Sequence, residues 1–241
     1  MKITLICPTF YTPNGDLFRP AKAMMPPLST IFLAGLVPPH HQVSVIDEAV
    51  QTVDFDAPVD VVGLTSTSIN IRRGYEIADE YRRRGVKVIM GGIHATMLPG
   101  EALAHVDAVV EGEAEDSWPE VLRDIEQGTL RQSYRHPKRD SLAGLPCPRY
   151  DLVAADRYVK PLFSELPMLP VQTTRGCPHN CDFCSVTQFW GKQIRFRPIP
   201  DVIADIKAGH RRDENLTLLN ELLTATKKVA PLSDISALVR V

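Results

Sequence analysis

Three cysteines fall in one short run, Val171-Gln172-Thr173-Thr174-Arg175-Gly176-Cys177-Pro178-His179-Asn180-Cys181-Asp182-Phe183-Cys184, at the spacing Cys-x3-Cys-x2-Cys. Thiolates at that spacing are ligands for iron and sulfide, and a [4Fe–4S] cubane has four irons. Cys177, Cys181 and Cys184 would hold three of them and leave the fourth open to a substrate. Gly176, Pro178 and Asn180 are turn formers, which lets one loop reach three corners of a cluster. Zinc is the competing reading. It needs a fourth ligand, for which His179 lies inside the loop, but structural zinc motifs favour two separated ligand pairs and the chain has none. Cys7, in an apolar run, and Cys147, thirty positions before the motif, read as small core residues.

The rest of the chain bounds what such a loop could serve. With 241 residues, 44% of them hydrophobic, and a net charge of -2, it is long enough for one large domain or two small ones. The near-neutral charge gives no sign of nucleic-acid binding. No stretch approaches the roughly 18 apolar residues of a membrane span, and the start Met1-Lys2-Ile3-Thr4-Leu5 lacks the core of a secretory signal. An odd number of cysteines fits a disulfide framework poorly, so the expected compartment is the reducing cytoplasm.

The elements that must position the chemistry alternate. Short β-rich runs at Lys2–Cys7, Gln42–Ile46, Val59–Leu64, Val86–Met90 and Ala108–Val110 are separated or followed by helical patterns at Pro27–Leu36, Ile71–Arg84, Gly100–His105 and Ser117–Gln127. This order predicts an α/β fold, a Rossmann-like, doubly wound parallel sheet, with ligands beyond the carboxyl ends of its strands. In Ile71–Arg84 the apolar residues Ile71, Tyr75, Ala78 and Tyr81 share a face, and Arg72, Arg73 and Glu76 read as a solvated one. Three strand-end loops stand out: Thr65-Ser66-Thr67-Ser68, Gly91-Gly92-Ile93-His94 and Glu111-Gly112-Glu113-Ala114-Glu115. Small hydroxyls and paired glycines let backbone approach a flat or phosphate-bearing ligand; tight turns are the plainer reading.

Pro26-Pro27-Leu28, the hydroxyl run, Gly91-Gly92 and Gly112-Glu113, in this order, resemble the cobalamin-binding domain that precedes the catalytic domain in many radical S-adenosylmethionine enzymes. The resemblance implies that a corrin or its dimethylbenzimidazole tail lies against Thr65, Ser66, Thr67, Ser68, Gly91 and Gly92, with His94, Gly112 and Glu113 as further pocket residues. One departure concerns cobalt: the loop Pro8-Thr9-Phe10-Tyr11-Thr12-Pro13-Asn14-Gly15-Asp16 has no histidine to ligate it, and a lone loop histidine such as His94 is more often solvated.

The three-cysteine loop, with Arg175-Gly176 before it and Phe183 before its last cysteine, closely resembles the radical S-adenosylmethionine signature, whose family fold is a partial (β/α)6 barrel. The resemblance implies that the amine and carboxylate of S-adenosylmethionine chelate the open iron, that Phe183 lies near the adenine, and that reductive cleavage yields a 5'-deoxyadenosyl radical. It also implies a reductant such as flavodoxin or ferredoxin, a small-molecule substrate and, where cobalamin takes part, methyl transfer. Arg195 and Arg197 resemble an Arg-x-Arg that follows the loop, surface charges being the plainer reading.

The expected organisation is a cobalamin-binding domain over residues 1–130, a linker over 131–168 without periodicity, and the start of the barrel over 169–241. At roughly 30 residues per βα unit, that last part supplies about two of six. The expectation is therefore a shortened or split radical enzyme, or a non-catalytic module that binds cobalamin and a cluster.

Overall fold

The computed structural model describes residues 1–160, 168–179 and 181–210. The segment Asn215–Val241, whose sequence reads as a helix of Leu, Thr and Lys and then a short tail, lies outside them. Six parallel strands form one sheet: β1 (Lys2–Cys7), β2 (Gln42–Asp47), β3 (Val61–Thr65), β4 (Lys87–Gly91), β5 (Ala108–Glu111) and β6 (Ser133–Arg135), in the order β2-β1-β3-β4-β5-β6. Between them run α1 (Leu28–Gly35), α2 (Ile71–Arg83), α3 (Ile93–Met97), α4 (Pro99–Ala102) and α5 (Ser117–Gln127).

The near-continuous apolar strands are explained by burial on both faces. Because strand side chains alternate, Ile6, Val62, Val88, Met90 and Val109 point to one face, where Ile77, Ala78 and Tyr81 of α2 cover them. Ile3, Leu5, Val61, Ile89 and Val110 point to the other, with Ala34 of α1 and Trp118, Val121 and Leu122 of α5. Fully burying one such aliphatic side chain stabilises by about 1.5–3 kcal/mol. Gly128, at φ 69°, ends α5 in the left-handed conformation that glycine adopts without strain.

Two parts of the fold carried no sequence signal. β6 lies in a stretch without periodicity; as an edge strand of three residues it needs only backbone pairing to β5, Val109–Glu111 against Ser133–Arg135. The chain after β6 wraps α1: Arg149 N–H donates to the Ile31 carbonyl at 2.9 Å, and Tyr158 donates to Asp47 Oδ2 at 2.9 Å. Leu142, Leu145, Tyr150, Val153 and Tyr158 are buried there, and Cys147 packs beside Tyr150 and Ile31. Beyond it, β7 (Thr174–Arg175) pairs antiparallel with β8 (Arg195–Phe196), α6 (Val186–Trp190) lies in the loop between them, and α7 (Ile199–His210) follows.

Arg73 departs from the solvated face expected for α2. Its guanidinium grips Glu48, which is fully buried, through Nε to Oε1 at 2.9 Å and Nη2 to Oε1 at 2.7 Å. Glu48 also accepts from the Thr9 N–H at 3.1 Å, so this buried pair fixes the loop that leaves β1. A residue 25 positions before Arg73 in sequence could not be paired with it from helical periodicity alone.

Candidate functional site: a cavity shared by the sheet and the cysteine segment

A cavity of ≈350 Å³ opens on the α1 and α5 side of the sheet, at the carboxyl ends of β3, β4 and β5. Its floor is Gly63, Thr65, Ile89, Gly91 and Val110, and one wall is Leu28, Ser29, Phe32 and Leu33 of α1. Gly63 explains how the floor accommodates its neighbours: a Cβ there would lie 2.7 Å from Leu5 Cδ2 and 3.1 Å from the Trp118 ring. The glycine lets that indole approach the strand closely. The opposite wall is Gln172, Arg175, Phe189 and Trp190, all from the segment that carries the three cysteines.

The sequence-expected residues divide into two groups. Thr65, Ser66, Thr67, Gly91, Gly92, Gly112 and Glu113 all line this cavity. Gly92 has φ 99°, and a Cβ on it would meet the Ser66 carbonyl at 2.5 Å, so only glycine brings the β3 and β4 loops this close. Ser68 and His94 are not among the lining residues and pair with each other instead, Oγ to Nδ1 at 3.2 Å. His94 is buried rather than solvated, its Nε2 3.1 Å from Glu101. It serves to hold α3 against α4.

The wall and floor hold unsatisfied polar atoms. Ser66 Oγ, Glu115 Oε2, Trp118 Nε1 and Arg175 Nη1 are buried without a hydrogen-bond partner, and all four residues line the cavity. Buried polar atoms are normally paired, so a group of orphans around one cavity fits a ligand with polar edges on a largely apolar body.

Glu113 has a second role that spacing could not reveal. Its carboxylate pairs with Arg195, the carboxylate's other oxygen lies 3.6 Å from Arg175, and Arg175 Nη2 lies 2.5 Å from Glu115. Arg195 also donates to the Arg139 carbonyl at 2.6 Å and to the Trp190 carbonyl at 2.9 Å. All four charged side chains are buried. Arg197, likewise buried, pairs with Asp205 of α7. The two arginines are therefore interior anchors and not surface charges. Arg175 also lies over the Trp190 ring, 4.7 Å from its centroid.

This network seats the cysteine loop. Cys177 follows β7 after Gly176, and its N–H donates to the Gly191 carbonyl at 3.1 Å; Cys184 N–H donates to the Cys181 carbonyl at 3.2 Å. Gly176 has φ 95°, and a Cβ would lie 2.1 Å from the Gln193 carbonyl, so the chain turns tightly into the loop only with glycine. All three cysteines are free thiols, Cys181 exposed and the other two half-buried. Among the described residues, only His40, His41 and Glu126 bring three ligand atoms within 4.8 Å of one another. Phe183 is 92% exposed on this loop. Cys7, at the end of β1, differs: burial, then the charges of Asp47 and Glu48, push its thiol up to about 12.

Gln172, Arg175, Trp118 and Trp190 were not expected at the site. Only Gly63 carried a signal, since a glycine inside an apolar strand marks close approach of another group.

Comparison with known proteins agrees with this geometry. Residues 25–122 match the B12 binding domain family. The chain is 38% identical over 165 residues to bacteriochlorophyllide d C-8(2)-methyltransferase of Chlorobaculum tepidum, covering 68% of this chain and 36% of that protein. It is 32% identical over 192 residues to the C-12(1)-methyltransferase of the same organism, covering 79% and 41%. The fold resembles the radical S-adenosylmethionine methyltransferase TsrM from Kitasatospora setae, solved with cobalamin and a [4Fe-4S] cluster bound, at TM-score 0.56 and 17% identity over 86% of this chain and 45% of that one. The chain thus spans under half the length of these relatives. It carries a segment that matches the B12 binding domain with the three-cysteine loop seated against it, and it is similar in sequence to these two methyltransferases and in fold to TsrM.

Proposed function

We propose that this chain supplies the corrinoid-binding and cluster-binding parts of a cobalamin-dependent radical S-adenosylmethionine protein acting in methyl transfer to a small molecule. The observation that carries the reading is the shared cavity: its floor is the sheet's glycine and hydroxyl loops, and its far wall is the cysteine segment. A corrinoid in it would lie next to the cluster loop, as methyl transfer between two cofactors needs. When bound, the cluster supplies an electron for reductive cleavage of S-adenosylmethionine, and the corrinoid carries the methyl group.

The chain's own residues have definable tasks. Cys177, Cys181 and Cys184 are the cluster ligands, and Phe183, exposed beside the last of them, is the adenine-facing residue. Thr65, Ser66, Thr67, Gly91, Gly92 and Gly112 cradle the corrinoid's nucleotide or ring edge, and Trp118 and Phe32 give it an apolar wall. Glu113 is a positioning residue, acting through Arg195 on the cysteine segment. Residues 1–130 are the corrinoid domain, 131–168 the connection and 169–241 the beginning of the radical domain. A reductant of the flavodoxin or ferredoxin class is the expected electron donor. No helix among the described residues is long and apolar enough to cross a membrane.

Anaerobic reconstitution with iron and sulfide tests the reading. The chain should turn brown and bind about four irons, and any one of Cys177→Ser, Cys181→Ser or Cys184→Ser should abolish this. Hydroxocobalamin should bind with a shifted spectrum. A colourless product, or colour retained in the serine variants, would refute the cluster assignment. A cluster that forms without reductive cleavage of S-adenosylmethionine would identify the chain as a binding module.

A further inference from the structure

We infer that His40, His41 and Glu126 form a binding site for one divalent transition-metal ion, zinc by the chemistry of the donors, at the end of the sheet opposite the cysteine loop. His40 and His41 end the connection from α1 to the amino end of β2, and Glu126 lies in the last turn of α5. The site is therefore remote from the cavity and independent of the function proposed for it.

The distances support this assignment. Nε2 of His40 and Nε2 of His41 each lie 3.4 Å from the same oxygen, Glu126 Oε1, and the three residues bring one ligand atom each within 4.8 Å of one another. Two histidine–carboxylate pairs elsewhere close to ordinary hydrogen-bond length, His136–Glu120 at 2.8 Å and His105–Asp79 at 2.9 Å. Here both imidazoles stand off, converging on one point. Tetrahedral zinc, with bonds of about 2.0–2.2 Å to nitrogen and oxygen, sets its ligands about 3.3–3.4 Å apart. The observed standoff is the edge of that tetrahedron.

The ligands are also oriented. The His41 side chain is 1% exposed, and its Nδ1 lies 3.1 Å from the Met1 amino nitrogen, which fixes the ring. The two rings are tilted, centroids 4.0 Å apart, which aims both Nε2 atoms at the carboxylate. His40 and Glu126 are 63% and 42% exposed, leaving room for water as the fourth ligand. Bound metal would clip the α1–β2 connection to the end of α5.

The test uses the full chain with Cys177, Cys181 and Cys184 replaced by serine, which removes the thiolate site. Calorimetric titration with Zn²⁺ should show one ion per chain, and Co²⁺ should give visible d–d bands of four-coordinate intensity without thiolate charge transfer. His40→Ala and Glu126→Gln, both at exposed positions that the fold tolerates, should each weaken uptake at least about tenfold, while His136→Ala should not. No zinc uptake, or uptake unchanged in His40→Ala and Glu126→Gln, would overturn the assignment.

Discussion

The sheet and the cysteine segment are held by opposite means. In the sheet, two apolar layers bury aliphatic side chains on both faces, and the strands are continuous hydrophobic runs. The cysteine segment has two strands of two residues and a five-residue helix, with Phe189 as its buried apolar anchor. It is placed by charge: Arg175 and Arg195 reach into the α/β domain and meet Glu113 and Glu115 there. Apolar burial is non-directional and tolerates adjustment, whereas paired charges in a buried site require one geometry. A loop whose three thiolates must meet a rigid cluster is better served by the second. The cavity lies where the two kinds of construction join.

The contrast can be broken most severely at Glu113. Glu113→Ala leaves Arg195 buried without its carboxylate, a loss of about 3–5 kcal/mol. The loss should be local: hydrogen exchange should accelerate across residues 170–197 while β1, β3 and β4 stay protected, and cluster yield should fall severalfold. Equal acceleration in both regions would show that the segment is not held separately by charge. The next effect is at the junction of the sheet with the cavity. Gly92→Ala forces a Cβ against the Ser66 carbonyl at positive φ, costing about 1–3 kcal/mol, and should weaken hydroxocobalamin binding about tenfold or more while the iron content of the cluster is kept. Unchanged corrinoid affinity would move the ligand off this cavity.

The smallest effect concerns the cysteines themselves. The Cys7 thiol is held protonated in the folded chain up to about 12, against an ordinary value of 9.0. A raised folded pKa means that its stabilising effect is complete below 9 and is lost as pH rises from there towards 12. Urea unfolding should thus show wild type losing about 1 kcal/mol more than Cys7→Ala between about pH 8 and pH 10. Identical losses would mean that this thiol ionises freely. Iodoacetamide at pH 8 should label the exposed Cys181 of the cluster-free chain well before Cys7.

Legibility followed the range of the interaction. Strand and helix periods are local, so β1 to β5, α2 and α5 could be read within a few residues of their ends. The hydroxyl and glycine loops were found because a parallel sheet puts its binding loops at strand carboxyl ends, and seven of those residues do share one cavity. Pairings across sequence distance were not legible. Glu48 with Arg73, Glu113 with Arg195, and His41 with Glu126 each join residues at least 25 positions apart. The short strand β6 was hidden for a different reason, since an edge pairing of three residues needs no apolar pattern.

By itself the sequence determined the alternating α/β order and the spacing of three thiolates on one turn, because both depend on the chemistry of neighbouring residues. Only the tertiary structure decided that Arg195 and Arg197 are interior anchors, that His94 is turned away from the cavity, and that the cysteine segment forms the cavity's far wall. Those outcomes depend on which charge meets which after the chain has folded back on itself, and a buried charge goes to the partner that satisfies it in space, whatever their separation along the chain.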